Sequence, residues 1–368
     1  MVPRGGASVF WEGVGGARGW CQRFIGRRYN GALDRLERAE SAAQEVRRKR
    51  CQRSPRPMRR LAGKLGDNWA TPWCSQGMEK IPDPKGVIMA TPPLGRISTL
   101  GTMSTFLKRG TCSEAMVTVL NRAFQHSALE TEQPCQPLAG GIMQHGYQCG
   151  LVWGAALAAG AEAHRRFGAG TESEVRAILA GQSVVEAFRG QNQTQMNCME
   201  ITELDKSSSK MKMVTYFLIK GGTIGCLRRA ARYAPVALRE IDAALSHESV
   251  EVPPGPVSCA ALMARRMGAS EEHAVMAAGL AGGIGLSGEA CGALGAAIWV
   301  AGIKLLGEGA TKIAFKAPHA EALIGRFVKC ANYEFECSAI CGRKFDHVAD
   351  HASYLRAGGC SKILEGLA

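Results

Sequence analysis

The chain has 368 residues, of which 46% are hydrophobic and only 6% aromatic, with 45 Gly and 14 Cys. That hydrophobic content excludes wholesale disorder, and no apolar run approaches the ~18 residues of a membrane span. The net charge of +13 is uneven: residues 1–77 hold 16 Lys and Arg against 6 Asp and Glu, the remainder 29 against 26. The basic excess lies outside the part with a folded pattern, so no nucleic-acid partner is expected.

Residues 1–101 read as a disordered basic segment followed by a Pro-rich arm. Helical periodicity there is confined to 33–46, and the run Arg47-Arg48-Lys49-Arg50 reads as solvated. Pro82, Pro84, Pro92 and Pro93 mark residues 78–101 as the arm. No secretory apolar stretch follows Met1, because residues 1–19 are rich in Gly and Arg and interrupted by Glu12. A cytoplasmic location is expected, with organelle import if the Arg-rich start is a transit sequence. In the absence of export, many cysteines point to catalytic or metal-bound thiols rather than a disulfide scaffold.

From residue 102 the pattern is helical. Apolar residues recur at helical intervals over 112–126, and residues 150–166 form a long Ala-rich helix. Residues 213–219 read equally as a short strand or a helix. A Pro-rich stretch at 251–256 separates this half from the next. Helices then follow at 259–267, after Ser270 with Glu271 and Glu272 in the first turn, and at 292–306. No alternating β-branched run is long enough for a sheet. The expected fold is all-α: two tandem Ala/Gly-rich helical-bundle domains, at 102–248 and 257–368.

The two halves are copies of one module. Residues 138–160, LAGGIMQHGYQCGLVWGAALAAG, align without a gap with residues 280–302, LAGGIGLSGEACGALGAAIWVAG. Eleven of the 23 positions match, where unrelated segments would share about one or two, so duplication is the reading. Upstream, Cys112 faces Cys259; downstream, Cys198 faces Cys337 and Cys226 faces Cys360. Each copy thus holds four cysteines in one order: Cys112, Cys149, Cys198, Cys226, and Cys259, Cys291, Cys337, Cys360.

This layout resembles the C-GCAxxG-C-C family of redox-active proteins. Copy two carries Cys259, then Cys291-Gly292-Ala293-Leu294-Gly295, then Cys337 and Cys360. Copy one departs from the motif at Leu151, and its following Gly, Gly154, falls one position later. The resemblance spans about residues 103–368 and implies a redox role with a partner protein. Some members carry a c-type haem, but this chain has no Cys-x-x-Cys-His and none is expected.

The eight repeated cysteines are the candidate catalytic residues. Cys149 and Cys291 each precede an Ala-rich helix, whose free N–H groups favour thiolate, and Cys291 is the first choice for a reactive thiol. Four converging sulfurs suit dithiol–disulfide cycling, an iron–sulfur cluster or zinc, and no Cys-x-x-Cys spacing chooses among them. Cys259, Cys291, Cys337 and Cys360 are the metal candidates. Cys135, Cys330 and Cys341, with Cys21, Cys51 and Cys74, read as incidental. On one continuous helix, Cys337, Cys341, His347 and His351 would share an arc suited to zinc, although Gly342 interrupts it and copy one lacks an equivalent. His145, four residues before Cys149, is a candidate base. The GxGxxG at Gly283 to Gly288 follows no strand and reads as a tight turn before a helix rather than a dinucleotide site.

Overall fold

The computed structural model describes residues 94–368. The basic segment, most of the Pro-rich arm, and Cys21, Cys51 and Cys74 lie outside the described residues. Helix α1 (Thr99–Arg109) begins inside the stretch read as arm, because the Ser98 hydroxyl accepts from the Gly101 amide at 2.9 Å and starts the helix there. It stops at Gly110, whose φ of 83° is left-handed. Copy one continues with α2 (Cys112–Ala123), a 3-10 stretch Gln133–Leu138, α3 (Gly150–Phe167), α4 (Thr171–Gln191), α5 (Cys198–Thr202) and α6 (Gly222–Leu245). Residues 213–219 resolve as helix: the turn Lys210–Val214 runs on into a π turn, Thr215–Ile219.

Copy two repeats the plan with α7 (Cys259–Arg266), α8 (Glu271–Ala278), α9 (Gly292–Gly307), α10 (Pro318–Cys330), α11 (Cys337–Cys341), α12 (Val348–Arg356) and α13 (Ser361–Leu367). Ser270 caps α8 as its position suggests, its hydroxyl accepting from the His273 amide. No strand forms among the described residues. Two isolated antiparallel bridges occur at matching places, Gln148 with Asn197 and Ala290 with Glu336.

The two copies share one apolar core. Small residues let their helices approach closely, and the contacts are reciprocal. Gly160 of α3 lies against the backbone of Met276 in α8, while Gly302, its repeat partner in α9, lies against Pro134. Pro134 and Met276 are themselves separated by the repeat offset of 142. Such exchanged contacts are those of a two-fold dimer, here built within one chain. On the axis the same position of both copies meets itself, and there the copies differ: the ring of Trp153 fills the space above Gly295. Two Trp would collide and two Gly would leave a void. Trp299 adds a further cross-copy tie, donating from Nε1 to the Thr131 carbonyl at 2.8 Å. Gln148 adds another, donating from Nε2 to the Gly283 carbonyl at 2.8 Å.

Trp153 is fully buried. Trp153→Ala should therefore cost about 3–5 kcal/mol in urea unfolding, the range for removing a large aromatic side chain from a packed core. A loss under about 1 kcal/mol would show that the copies close over the gap and that this contact does not hold them together.

Candidate functional site

Seven of the eight repeated cysteines stand at helix starts. Cys112 and Cys259 are the first residues of α2 and α7, and Cys149 and Cys291 are the N-caps of α3 and α9. Cys198 and Cys337 open α5 and α11. Cys226 lies in the second turn of α6, and Cys360 is the N-cap of α13. The free amides of these turns surround the sulfurs with partial positive charge.

Main-chain hydrogen bonds bring the helix starts together. The Cys149 amide donates to the Met196 carbonyl at 2.9 Å, and the Cys198 amide to the Tyr147 carbonyl at 2.6 Å. Copy two repeats both bonds: Cys291 to Phe335 at 2.9 Å and Cys337 to Glu289 at 2.6 Å. The Gly after the second cysteine admits the first. A Cβ on Gly150 would lie 2.5 Å from the Cys112 sulfur and 2.9 Å from the Ala139 Cα.

In copy one, Cys112, Cys149, Cys198 and Cys226 gather within electrostatic reach of one another. The Cys149 thiol donates to Cys112 and lowers it to about 7, assisted by the amides of Gly140 and Ser113. The same bond raises Cys149, which is buried. Burial pushes Cys198 up to about 12 and Cys226 up to about 11. Cys112, partly exposed, is the one thiol of this cluster that its surroundings lower.

Copy two gathers five sulfurs: Cys259, Cys291, Cys337, Cys360 and Cys341. Cys337 and Cys341, one turn apart on α11, have sulfurs 3.8 Å apart. The Cys337 thiol, then the Cys360 thiol, then the Tyr354 hydroxyl lower Cys341, against the opposing effect of burial. The same contacts raise Cys337 and Cys360. His351 stands nearby, buried, with Nδ1 2.8 Å from the Val257 carbonyl. A carbonyl only accepts, so Nδ1 carries the proton and Nε2 is a bare acceptor, and it has no partner.

The family model described as "Putative redox-active protein (C_GCAxxG_C_C)" matches residues 111–232 and 257–368, well over half of the chain. The chain belongs to the C_GCAxxG_C_C family. No curated protein and no solved structure shows a significant match. The two matched regions are the two copies, so this C_GCAxxG_C_C protein carries the family module in tandem.

Four expectations from the sequence need correction. Cys291 was expected to be the thiolate. The amides of Leu294 and Ala293 do lower it, but burial outweighs them and leaves it at about 11. Cys341, read as incidental, lies among the repeated cysteines of copy two. Its signal was the spacing of four from Cys337; copy one has Thr202 at that place, with its hydroxyl 3.9 Å from the Cys198 sulfur. The continuous zinc arc does not form. Helix α11 ends at Cys341, Gly342 turns left-handed with φ 71°, and His347 caps α12 by accepting from the Asp350 amide at 3.1 Å. Among the described residues, no three His, Cys, Asp or Glu side chains are arranged to hold a metal ion. His145 is engaged away from Cys149, with Lys206 3.4 Å from Nε2 and Phe335 stacked on the ring.

Cys135 is fully buried and its thiol is raised, and Cys330 packs against Gly366. The GxGxxG is a run of turns with left-handed Gly283, Gly285 and Gly288 leading into α9. No described helix is long and apolar enough to cross a membrane.

Alkylation of Cys112 by iodoacetamide should rise with pH about a midpoint near 7. Cys149→Ala removes the thiol that donates to it and should move that midpoint upward, toward an ordinary cysteine. At pH 7 Cys291 should react roughly a hundredfold more slowly than Cys112. Equal rates, read by peptide mapping, would overturn the assignment of the thiolate.

Proposed function

We propose that the chain is a thiol–disulfide redox protein with one cysteine cluster in each of two helical modules, 102–248 and 257–368. The observation that carries this reading is the pairing of thiols: in copy two the Cys337 and Cys341 sulfurs are 3.8 Å apart, and in copy one Cys149 lies beside Cys112 and lowers it. A thiolate beside a thiol is the arrangement for exchange. The thiolate attacks a disulfide, and the neighbouring thiol then resolves the mixed disulfide.

In copy one, Cys112 attacks one sulfur of a partner protein's disulfide, and the other partner sulfur leaves as thiolate. Cys149 loses its proton and attacks the Cys112 sulfur, closing a Cys112–Cys149 disulfide and releasing the second partner thiol. Two electrons pass to the partner, and its disulfide becomes two thiols. The exposures agree with the order, since Cys112 is partly exposed and Cys149 is buried. The partner is a redox protein.

Equilibration of the full chain with glutathione buffers of graded ratio, followed by peptide mapping, tests the reading. A Cys112–Cys149 disulfide should form and reverse with a single midpoint, and Cys149→Ala should arrest copy one as a Cys112 glutathione adduct. Quartets that stay reduced in oxidised glutathione, or that copurify with metal in stoichiometric amount, would overturn it.

A further inference from the structure

Copy two contains one more sulfur than the repeat requires, and it occupies a central place. Cys341 closes α11, one helical turn after Cys337, with 3.8 Å between their sulfurs. It also accepts from Cys360 at the start of α13 and from Tyr354 on α12. Cys259 and Cys291, from α7 and α9, are buried within electrostatic reach of it. Cys341 and Cys360 are the partly exposed sulfurs of the five. The corresponding place in copy one holds the Thr202 hydroxyl, which donates to its own turn at the Cys198 carbonyl, 2.7 Å away. The copies therefore differ at one position in a way that changes chemistry.

We infer that Cys341 is the attacking thiol of copy two, with Cys337 as its resolving partner, so that this copy exchanges disulfides through a pair outside the four-cysteine pattern. The inference deepens the redox reading and rests on it. The groups that face Cys341 agree. Cys337, Cys360 and Tyr354 all face it and lower it, and burial lowers His351 beside it. Cα atoms four residues apart on a helix are about 6 Å from each other, inside the range a disulfide spans. The chemistry balances as follows. The Cys341 thiolate attacks a partner disulfide, the partner S–S bond breaks, and one partner thiolate leaves. Cys337 then attacks the Cys341 sulfur, its proton passes to the second departing partner sulfur, and a Cys337–Cys341 disulfide remains.

The full chain, reduced and mixed with the aromatic disulfide 5,5′-dithiobis(2-nitrobenzoic acid) at pH 5, tests this by quenched-flow peptide mapping. In the unaltered protein the first adduct in copy two should form on Cys341 and give way to a Cys337–Cys341 disulfide. Cys337→Ser should trap the adduct on Cys341. Cys341→Thr, which installs the copy-one residue, should slow formation of the first copy-two adduct at least tenfold and abolish the internal disulfide, while Cys112 reacts as before. Cys330→Ser serves as the control and should change nothing. If Cys341→Thr fails to fold, trapping in Cys337→Ser still decides. An adduct trapped on any cysteine of copy two other than Cys341, or unchanged rates in Cys341→Thr, would overturn the inference. If copy one still cycles in glutathione in those cases, the redox reading survives; if neither copy forms a disulfide, both fall.

Discussion

The sulfur clusters depend on a pair of main-chain hydrogen bonds made between segments far apart in sequence. Cys149 and Cys198 are separated by 49 residues, yet each gives its amide to the chain beside the other. These bonds fix two helix starts against each other, and the glycine that follows Cys149 brings a third. A side chain at Gly150 would displace the Cys112 sulfur and so remove the neighbour that stabilises its thiolate. The same bonds recur in copy two at Cys291 and Cys337, where Gly292 lies instead against the Leu280 carbonyl. The backbone, rather than sulfur–sulfur bonding, builds the cluster, and the cysteines in it are free thiols.

On this shared frame the copies place their negative charge differently. In copy one the thiolate is Cys112, at the start of α2, with the Gly140 amide and the Cys149 thiol as donors. Copy two keeps the equivalent amide at Gly282 for Cys259, but without a thiol donor Cys259 is held at about 12 by burial. The donors of copy two instead converge on Cys341. The copies thus differ at the end of a five-residue helix, a Thr202 hydroxyl in one and the Cys341 thiol in the other, and both Cys112 and Cys341 are partly exposed. The coverings differ as well. Over copy two, α12 buries Val348, Ala352 and Leu355. Residues 210–219 of copy one leave Met211, Val214 and Ile219 exposed.

Much of this was legible in the sequence. Duplication could be read from one 23-residue alignment, and the helices from Ala-rich periodicity and the cap at Ser270. The eight cysteines could be paired between copies because order survives where spacing drifts. The charge states were not legible. Proximity to a helix start argues for thiolate at Cys291, but burial opposes it, and the depth of a side chain depends on contacts made across the whole chain. Cys341 was missed for a related reason. Comparing copies gives weight to what repeats, and Cys341 matters because it does not. The sharing of one core was also hidden, since a Pro-rich separator such as 251–256 looks the same whether the modules stand apart or pack together.

The contact between Trp153 and Gly295 bears on how such a gene can change. While both copies carried the same residue there, either could have replaced the other, and a lone module could have paired with its twin. With a bulky ring in one half and a hollow in the other, the halves have become lock and key, each unable to substitute for its sibling. Gene conversion that homogenised the repeats would produce a chain that clashes or gapes at its centre. Folding alone therefore keeps residues 153 and 295 distinct, so the two halves are not interchangeable at their centre.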